Sequence, residues 1–226
     1  MKIGAITVGQ APRVDITPDI MGIFGEDVEI IQAGGLDGLT KEEIAAFAPD
    51  EGDYVLVSRL NDGSSVTFAE KYVLPRMQDA IDRMEAEGCK LIMMFCTGVF
   101  PPTLASKKVP MIYPCDVLNR LVPMMTKKSS IISIMPSPLQ AEQMKEKWSS
   151  HVDKVQPIAA NPYGDWESIE KAAEEAAKIE DADLIVMDCI GYSQKMKDMF
   201  AAKTGKPVVL PRTLLARVVS ELTDVK

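Results

Sequence analysis

Residues 91–98, LIMMFCTG, and residues 184–191, LIVMDCIG, share the skeleton L-I-x-M-x-C-x-G. An unbroken apolar run closed by a small-residue turn is the pattern of a strand buried on both faces, which belongs to parallel sheets covered by helices. A chain that spells this phrase twice must provide two such strands, and each copy ends on a cysteine.

The remaining sequence continues the pattern. Strands are expected over residues 2–8, 28–33, 54–60, 91–96, 129–135, 154–159, 184–189 and 207–211, each bordered by Gly, Pro, Asp or Asn. Helical periodicity separates them. Met77, Ile81 and Met84 are spaced i, i+4, i+7, while Trp166, Ile169 and Ala173 are spaced i, i+3, i+7, so each set lines one helix face. Both helices lead into a cysteine strand, and the second has an N-cap in Asp165 with Glu167 and Glu170 at its positive end. The runs IGAITVGQAP and SIISIMPSP each open a series. The fold class is therefore α/β, with two pseudo-symmetric parallel-sheet (Rossmann-like) halves and a ligand cleft between them. The expected domains are residues 1–115 plus 206–226, the latter a returning C-terminal helix, and residues 116–205. Residues 34–67 have no counterpart in the second half and are expected to hold a hairpin near Asn61, Asp62 and Gly63.

With 33 acidic against 25 basic residues the chain carries a net charge of −8 and no basic run, which argues against nucleic acid as a partner. No apolar run reaches the roughly 18 residues of a membrane span, and the N-terminus meets Gln10 and Arg13 too early for a secretory signal. A cytoplasmic protein with no membrane partner is expected. Cys89, Cys96, Cys115 and Cys189 form no C-x-x-C pair and read as reduced thiols. The single histidine, His151, lies in the polar stretch KWSSHVDK, so neither a His-rich metal site nor a Ser-His or Cys-His dyad is expected. No G-x-G-x-x-G and no P-loop occurs, and no nucleotide cofactor is expected.

In open α/β sheets ligands bind beyond the carboxyl ends of the strands, where loops and helix N-termini present unpaired N–H groups. Cys96 and Cys189 occupy that place in their halves. Two thiols facing one ligand suit proton removal beside a carboxylate on one face and proton return on the other, since thiol and thiolate exchange the roles of acid and base. Donors for the carboxylate are available in Gln10, Arg13, Arg59, Asn61, Thr97, Ser137, Tyr192 and Ser193, together with the backbone N–H groups of the loops, including those of Gly98 and Gly191. Cys89 and Cys115 lack the repeat context and read as structural. Asp188 precedes Cys189 and points to the opposite strand face, as a cap or sheet-end partner. Thr97 after one cysteine and Ile190 after the other predict a cleft with one polar and one apolar wall.

The opening ITVGQAPR, the segment RLNDG, the CTG turn, and MDCIGYS followed by LLARVVSEL resemble the AroM family across nearly the whole chain. The paired strand-end cysteines also look like the aspartate/glutamate/hydantoin racemase superfamily, whose members work without a cofactor. That resemblance implies paired roles for Cys96 and Cys189, with Thr97 and the VGQAP loop, including Gly9 and Gln10, as carboxylate binders. Amino-acid racemases carry Asn-Thr after the first cysteine and Thr-His after the second. Here the pairs are Thr97-Gly98 and Ile190-Gly191, which leaves a related isomerase, decarboxylase or lyase open. The expected function is a cofactor-independent racemase or isomerase acting on a small carboxylate. The alternatives are a non-catalytic small-molecule binding or regulatory protein of the same fold, and a thiol redox sensor. A homodimer is the commonest assembly for an enzyme of this kind.

Overall fold

The computed structural model describes residues 1–25 and 27–223. One parallel sheet contains β1 (Lys2–Thr7), β2 (Glu29–Gly34), β5 (Ile92–Phe95) and β6 (Met111–Ile112) in the order β2-β1-β5-β6. The other contains β7 (Ser130–Met135), β8 (Lys154–Ala159), β9 (Leu184–Met187) and β10 (Val208–Val209) in the order β8-β7-β9-β10. Numbered within its own half, each sheet runs second, first, third, fourth strand. The repeated phrase is the third strand of each half. Within the first half, between β2 and β5 in sequence, lies an antiparallel hairpin, β3 (Val55–Arg59) with β4 (Ser65–Ala69), turning through Gly63 at φ +91°.

Strand alternation explains why every strand position of the phrase is apolar. Ile92 and Met94 face α3 (Leu74–Ala86), which buries Met77, Ala80, Ile81 and Met84, whereas Met93 and Phe95 face α8 (Pro211–Thr223) through Leu215, Ala216 and Val219. In the second sheet Ile185 and Met187 face α6 (Trp166–Ala177), while Leu184 and Val186 face Leu118 and Val122 of α4 (Pro114–Met125). Burying each such side chain stabilises the fold by roughly 1.5–3 kcal/mol. Asp165 caps α6 by accepting from the Ser168 amide at 2.7 Å. Trp166 is only partly buried at the start of that helix, where its indole N–H donates to Glu170 at 3.1 Å.

Two helices exchange partners between the halves. α4 follows the first sheet yet packs on the second, and α8 follows the second sheet yet packs on the first. The second sheet also takes in Val208–Val209, and α8 after it packs on the first. Residues 224–226 of the expected returning segment lie outside the described residues. The remaining helices are α1 (Thr17–Ile20), α2 (Lys41–Ala45), α5 (Ala141–Ser149) and α7 (Gln194–Thr204). Among the described residues no helix is long and apolar enough to cross a membrane.

Candidate active site

Cys96 immediately follows β5, and Cys189 lies two residues beyond β9. Both make the same local turn: the Gly98 N–H donates to Cys96 Sγ and the Gly191 N–H donates to Cys189 Sγ, each at 3.4 Å. Cys96 and Cys189 line one cavity together with Thr97, Gly98, Pro136 and Asp188. The hairpin closes it with Leu56 and Val57, and Tyr54 adds its ring, the Tyr54 hydroxyl accepting from the Val99 N–H at 3.0 Å. The cavity measures about 20 Å³, room for about one water molecule.

Burial pushes the Cys96 thiol up to about 12, with Cys189 and Cys115 adding to the effect and the Gly98 N–H and Lys147 opposing it. Burial also pushes Cys189 up, against the Gly191 N–H, Arg13 and the Tyr163 hydroxyl. In this closed arrangement both sulfurs favour the thiol. Tyr163, from the loop after β8, brings its hydroxyl to 3.8 Å from Cys189 Sγ. Gly191 must be glycine for this approach, because an added Cβ would lie 2.2 Å from Tyr163 Oη.

Arg13 reaches the site through Tyr163. Its guanidinium donates to Tyr163 Oη at 3.1 Å and to Thr7 at 3.1 Å, and it forks onto Asp15 at 2.8 and 2.7 Å. Although burial works the other way, the guanidinium holds the Asp15 carboxyl below its ordinary value. Gly9 and Gln10 instead join the loop after β1 to its neighbours. A Cβ on Gly9 would lie 2.2 Å from Ser58 Oγ. Gln10 donates to the Leu36 and Leu39 carbonyls at 3.4 and 3.5 Å and accepts from the Asn61 N–H at 2.8 Å, while Asn61 Nδ2 donates to the Ala11 carbonyl at 3.3 Å. Arg59 is half-buried over Gly63, and Ser137 caps a short turn by accepting from the Leu139 N–H at 3.3 Å. Tyr192 is fully buried and donates to the Ala160 carbonyl at 2.5 Å. Ser193 caps α7, accepting from the Met196 N–H at 3.3 Å.

The predicted contrast between Thr97 and Ile190 takes a different form. Thr97 turns its hydroxyl to the Asp188 carbonyl at 3.0 Å, and Ile190 packs with Phe95 and Leu215 in the core beneath the first sheet. The apolar lining comes instead from Leu56, Val57, Pro136 and Met144. Beside them lies a buried group that joins Asp188 to two residues that sequence pattern did not mark, Lys147 and Trp148. Lys147 pairs with Asp188 at 2.7 Å and donates to the Thr97 carbonyl at 2.9 Å, and the Trp148 indole donates to the other Asp188 oxygen at 2.9 Å. Among the described residues no group of three or more His, Cys, Asp or Glu side chains is placed to hold a metal ion.

Two sulfurs thus line one cavity, each carried just beyond the third strand of its half. The fold is shared with solved racemases and a maleate isomerase. The chain is similar in structure to the allantoin racemase from Klebsiella pneumoniae, with TM-score 0.65 and 16% identity over 99% of this chain and 87% of that one. It is likewise similar to the maleate isomerase Iso from Pseudomonas putida S16, with TM-score 0.66 and 12% identity over 99% and 93% of the two chains. For the glutamate racemase from Francisella tularensis subsp. tularensis SCHU S4 the values are 0.61 and 16%, over 98% and 80%. At these identities the likeness is one of fold. No curated protein matches the sequence. The family described as AroM protein matches residues 3–223, and the chain belongs to the AroM family.

Proposed function

We propose that this chain is a cofactor-independent racemase- or isomerase-like enzyme acting on a small carboxylate, with Cys96 and Cys189 as its acid–base pair. The observation that carries the reading is that both sulfurs line one cavity from equivalent strand ends of two halves. One thiolate removes a proton from the carbon beside the carboxylate, and the opposite thiol returns one. The structural neighbours, which include racemases, a maleate isomerase and an arylmalonate decarboxylase, support this class of chemistry. Because a carboxylate substrate is far larger than a 20 Å³ cavity, the hairpin or the halves must move to admit it.

The test is solvent deuterium exchange at the α-carbon of a panel of small carboxylates, followed by NMR. Cys96→Ser and Cys189→Ser should each lower exchange by at least about 100-fold. Exchange that survives in both variants sinks the proposal. The raised thiols favour a second reading, a binding protein that keeps the cleft without proton transfer. That reading predicts carboxylate-dependent thermal stabilisation with no exchange in the unaltered protein.

A further inference from the structure

The acid–base reading requires each cysteine loop to be held in place, and the following inference rests on that reading. The carbonyl after each cysteine accepts from a buried cation. Lys147 Nζ donates to the carbonyl of Thr97, which follows Cys96, at 2.9 Å, and Arg212 Nε donates to the carbonyl of Ile190, which follows Cys189, at 3.0 Å. Both side chains are 1% exposed. Each cation comes from the opposite half. Lys147 lies on α5, packed against β7 and β8 of the second sheet, and clamps the end of the first. Arg212 lies on α8, packed against α1 and β5 of the first half, and clamps the end of the second sheet.

The counter-charges follow the same rule. Lys147 pairs at 2.7 Å with Asp188 of its own half. Arg212 pairs at 2.8 Å with Asp19 of α1 and donates to the Asp15 carbonyl at 2.7 Å, both in the half on which α8 packs. A buried cation is costly to desolvate unless it is paired and hydrogen-bonded, so an interface held by two of them is specific to one closed arrangement. We propose that Lys147 and Arg212 are crossed positioning residues, each anchored in one half of the molecule and each clamping the cysteine turn of the other. The two Gly N–H to sulfur contacts are then set together, and only when the halves are closed.

The electrical surroundings of the two sulfurs differ. Cys96 feels Lys147, Cys115 and Cys189, with Tyr54 across the cavity. Cys189 feels Arg13, Tyr163, Tyr192 and Asp188. Lys147 therefore acts on Cys96 by charge and by position, and Arg212 acts on Cys189 by position through the Gly191 turn.

The experiment is pH-dependent alkylation by iodoacetamide in a Cys89→Ala, Cys115→Ala background, with the Cys96 and Cys189 peptides resolved by mass spectrometry. Lys147→Gln should lower the Cys96 rate at fixed pH about tenfold, a rise of about one unit in its midpoint. Arg212→Gln should lower the Cys189 rate about threefold, and each variant should leave the other cysteine within twofold. Should Lys147→Gln fail to fold, as judged by circular dichroism, Lys147→Met with Asp188→Leu replaces the buried pair by apolar groups and should slow Cys96 in the same way, while Cys189, relieved of the Asp188 charge, should be unchanged or faster, never slower. The clamp is refuted if the two thiols move together, if the wrong one moves, or if neither does. Alkylation needs no substrate, so this outcome is independent of the proton-exchange result that decides the enzymatic reading.

Discussion

At the scale of single residues, the contact between Gly191 and Tyr163 is a tight constraint on the Cys189 turn. A methyl group on residue 191 would lie 2.2 Å from Tyr163 Oη and 2.5 Å from Cζ, so Gly191→Ala must displace the ring and its bond to Arg13. The expected loss of stability is about 1–3 kcal/mol in urea unfolding. Adding Tyr163→Ala should return part of it, with a coupling of at least about 0.5 kcal/mol in the double-mutant cycle. Strict additivity would show that the ring does not sit on residue 191. Sequence pattern marked Cys96 and Cys189 because the phrase around them repeats and ends two buried strands. Tyr163 and Lys147 carried no comparable mark. Tyr163 lies in the irregular stretch NPYGDW, and Lys147 follows Lys145 and Glu146 on a helix where charged residues ordinarily face solvent. Their roles arise from contacts with residues 150 positions away for Arg13–Tyr163 and 50 for Lys147–Thr97, which no local periodicity encodes.

At the scale of elements, the β3–β4 hairpin is the part of the first half without a counterpart, and α5 holds it by imitating a neighbouring strand. Gln143 Oε1 accepts from the Val55 N–H at 2.8 Å and Gln143 Nε2 donates to the Val55 carbonyl at 3.2 Å, where Gln140 Nε2 donates as well, also at 3.2 Å. Gln143→Ala leaves the carbonyl served and strands the N–H, at an expected cost of about 1–3 kcal/mol. Hydrogen exchange at the Val55 amide should accelerate relative to amides in β1, and equal protection in both proteins would remove the hairpin's tether from α5. The hairpin itself was legible, since Asn61-Asp62-Gly63 supplies the residue that tolerates φ +91°. β4 escaped because SVTFA is short and only half apolar, and β6 because two residues after Pro110 cannot establish a period. The fourth strand of the second half shortened to Val208–Val209 because Pro207 and Pro211 flank it and proline supplies no N–H to a ladder.

At the scale of the whole molecule, folding buries ionisable groups, and this gives stability a definite dependence on pH. Glu70, in the turn Glu70–Tyr72 after β4, has a carboxyl oxygen with no hydrogen-bond partner among the described residues, and burial pushes its pKa up to about 7. The unfolded value is about 4.3, so between these limits the folded chain binds more protons than the unfolded chain. The contribution of Glu70 is therefore fully present below about pH 4.3 and is lost as pH rises through 7. Glu70→Gln removes the charge that must be buried. It should match the parent protein near pH 4 and exceed its stability by about 1–3 kcal/mol at pH 8. The thiols add a second decline by the same sign: burial raises Cys96 and Cys115 to about 12 from an unfolded value of about 8.5, so their contribution is intact below pH 8.5 and fades toward pH 12. Urea unfolding of parent, Glu70→Gln and Cys96→Ala across pH 4–11 separates the two steps. The Glu70 variant should flatten only the lower step and the Cys96 variant only part of the upper one. A parent curve that rises between pH 5 and 7 at the Glu70 step, with Glu70→Gln gaining nothing at pH 8, would mean that the carboxylate is solvated or paired in the folded protein.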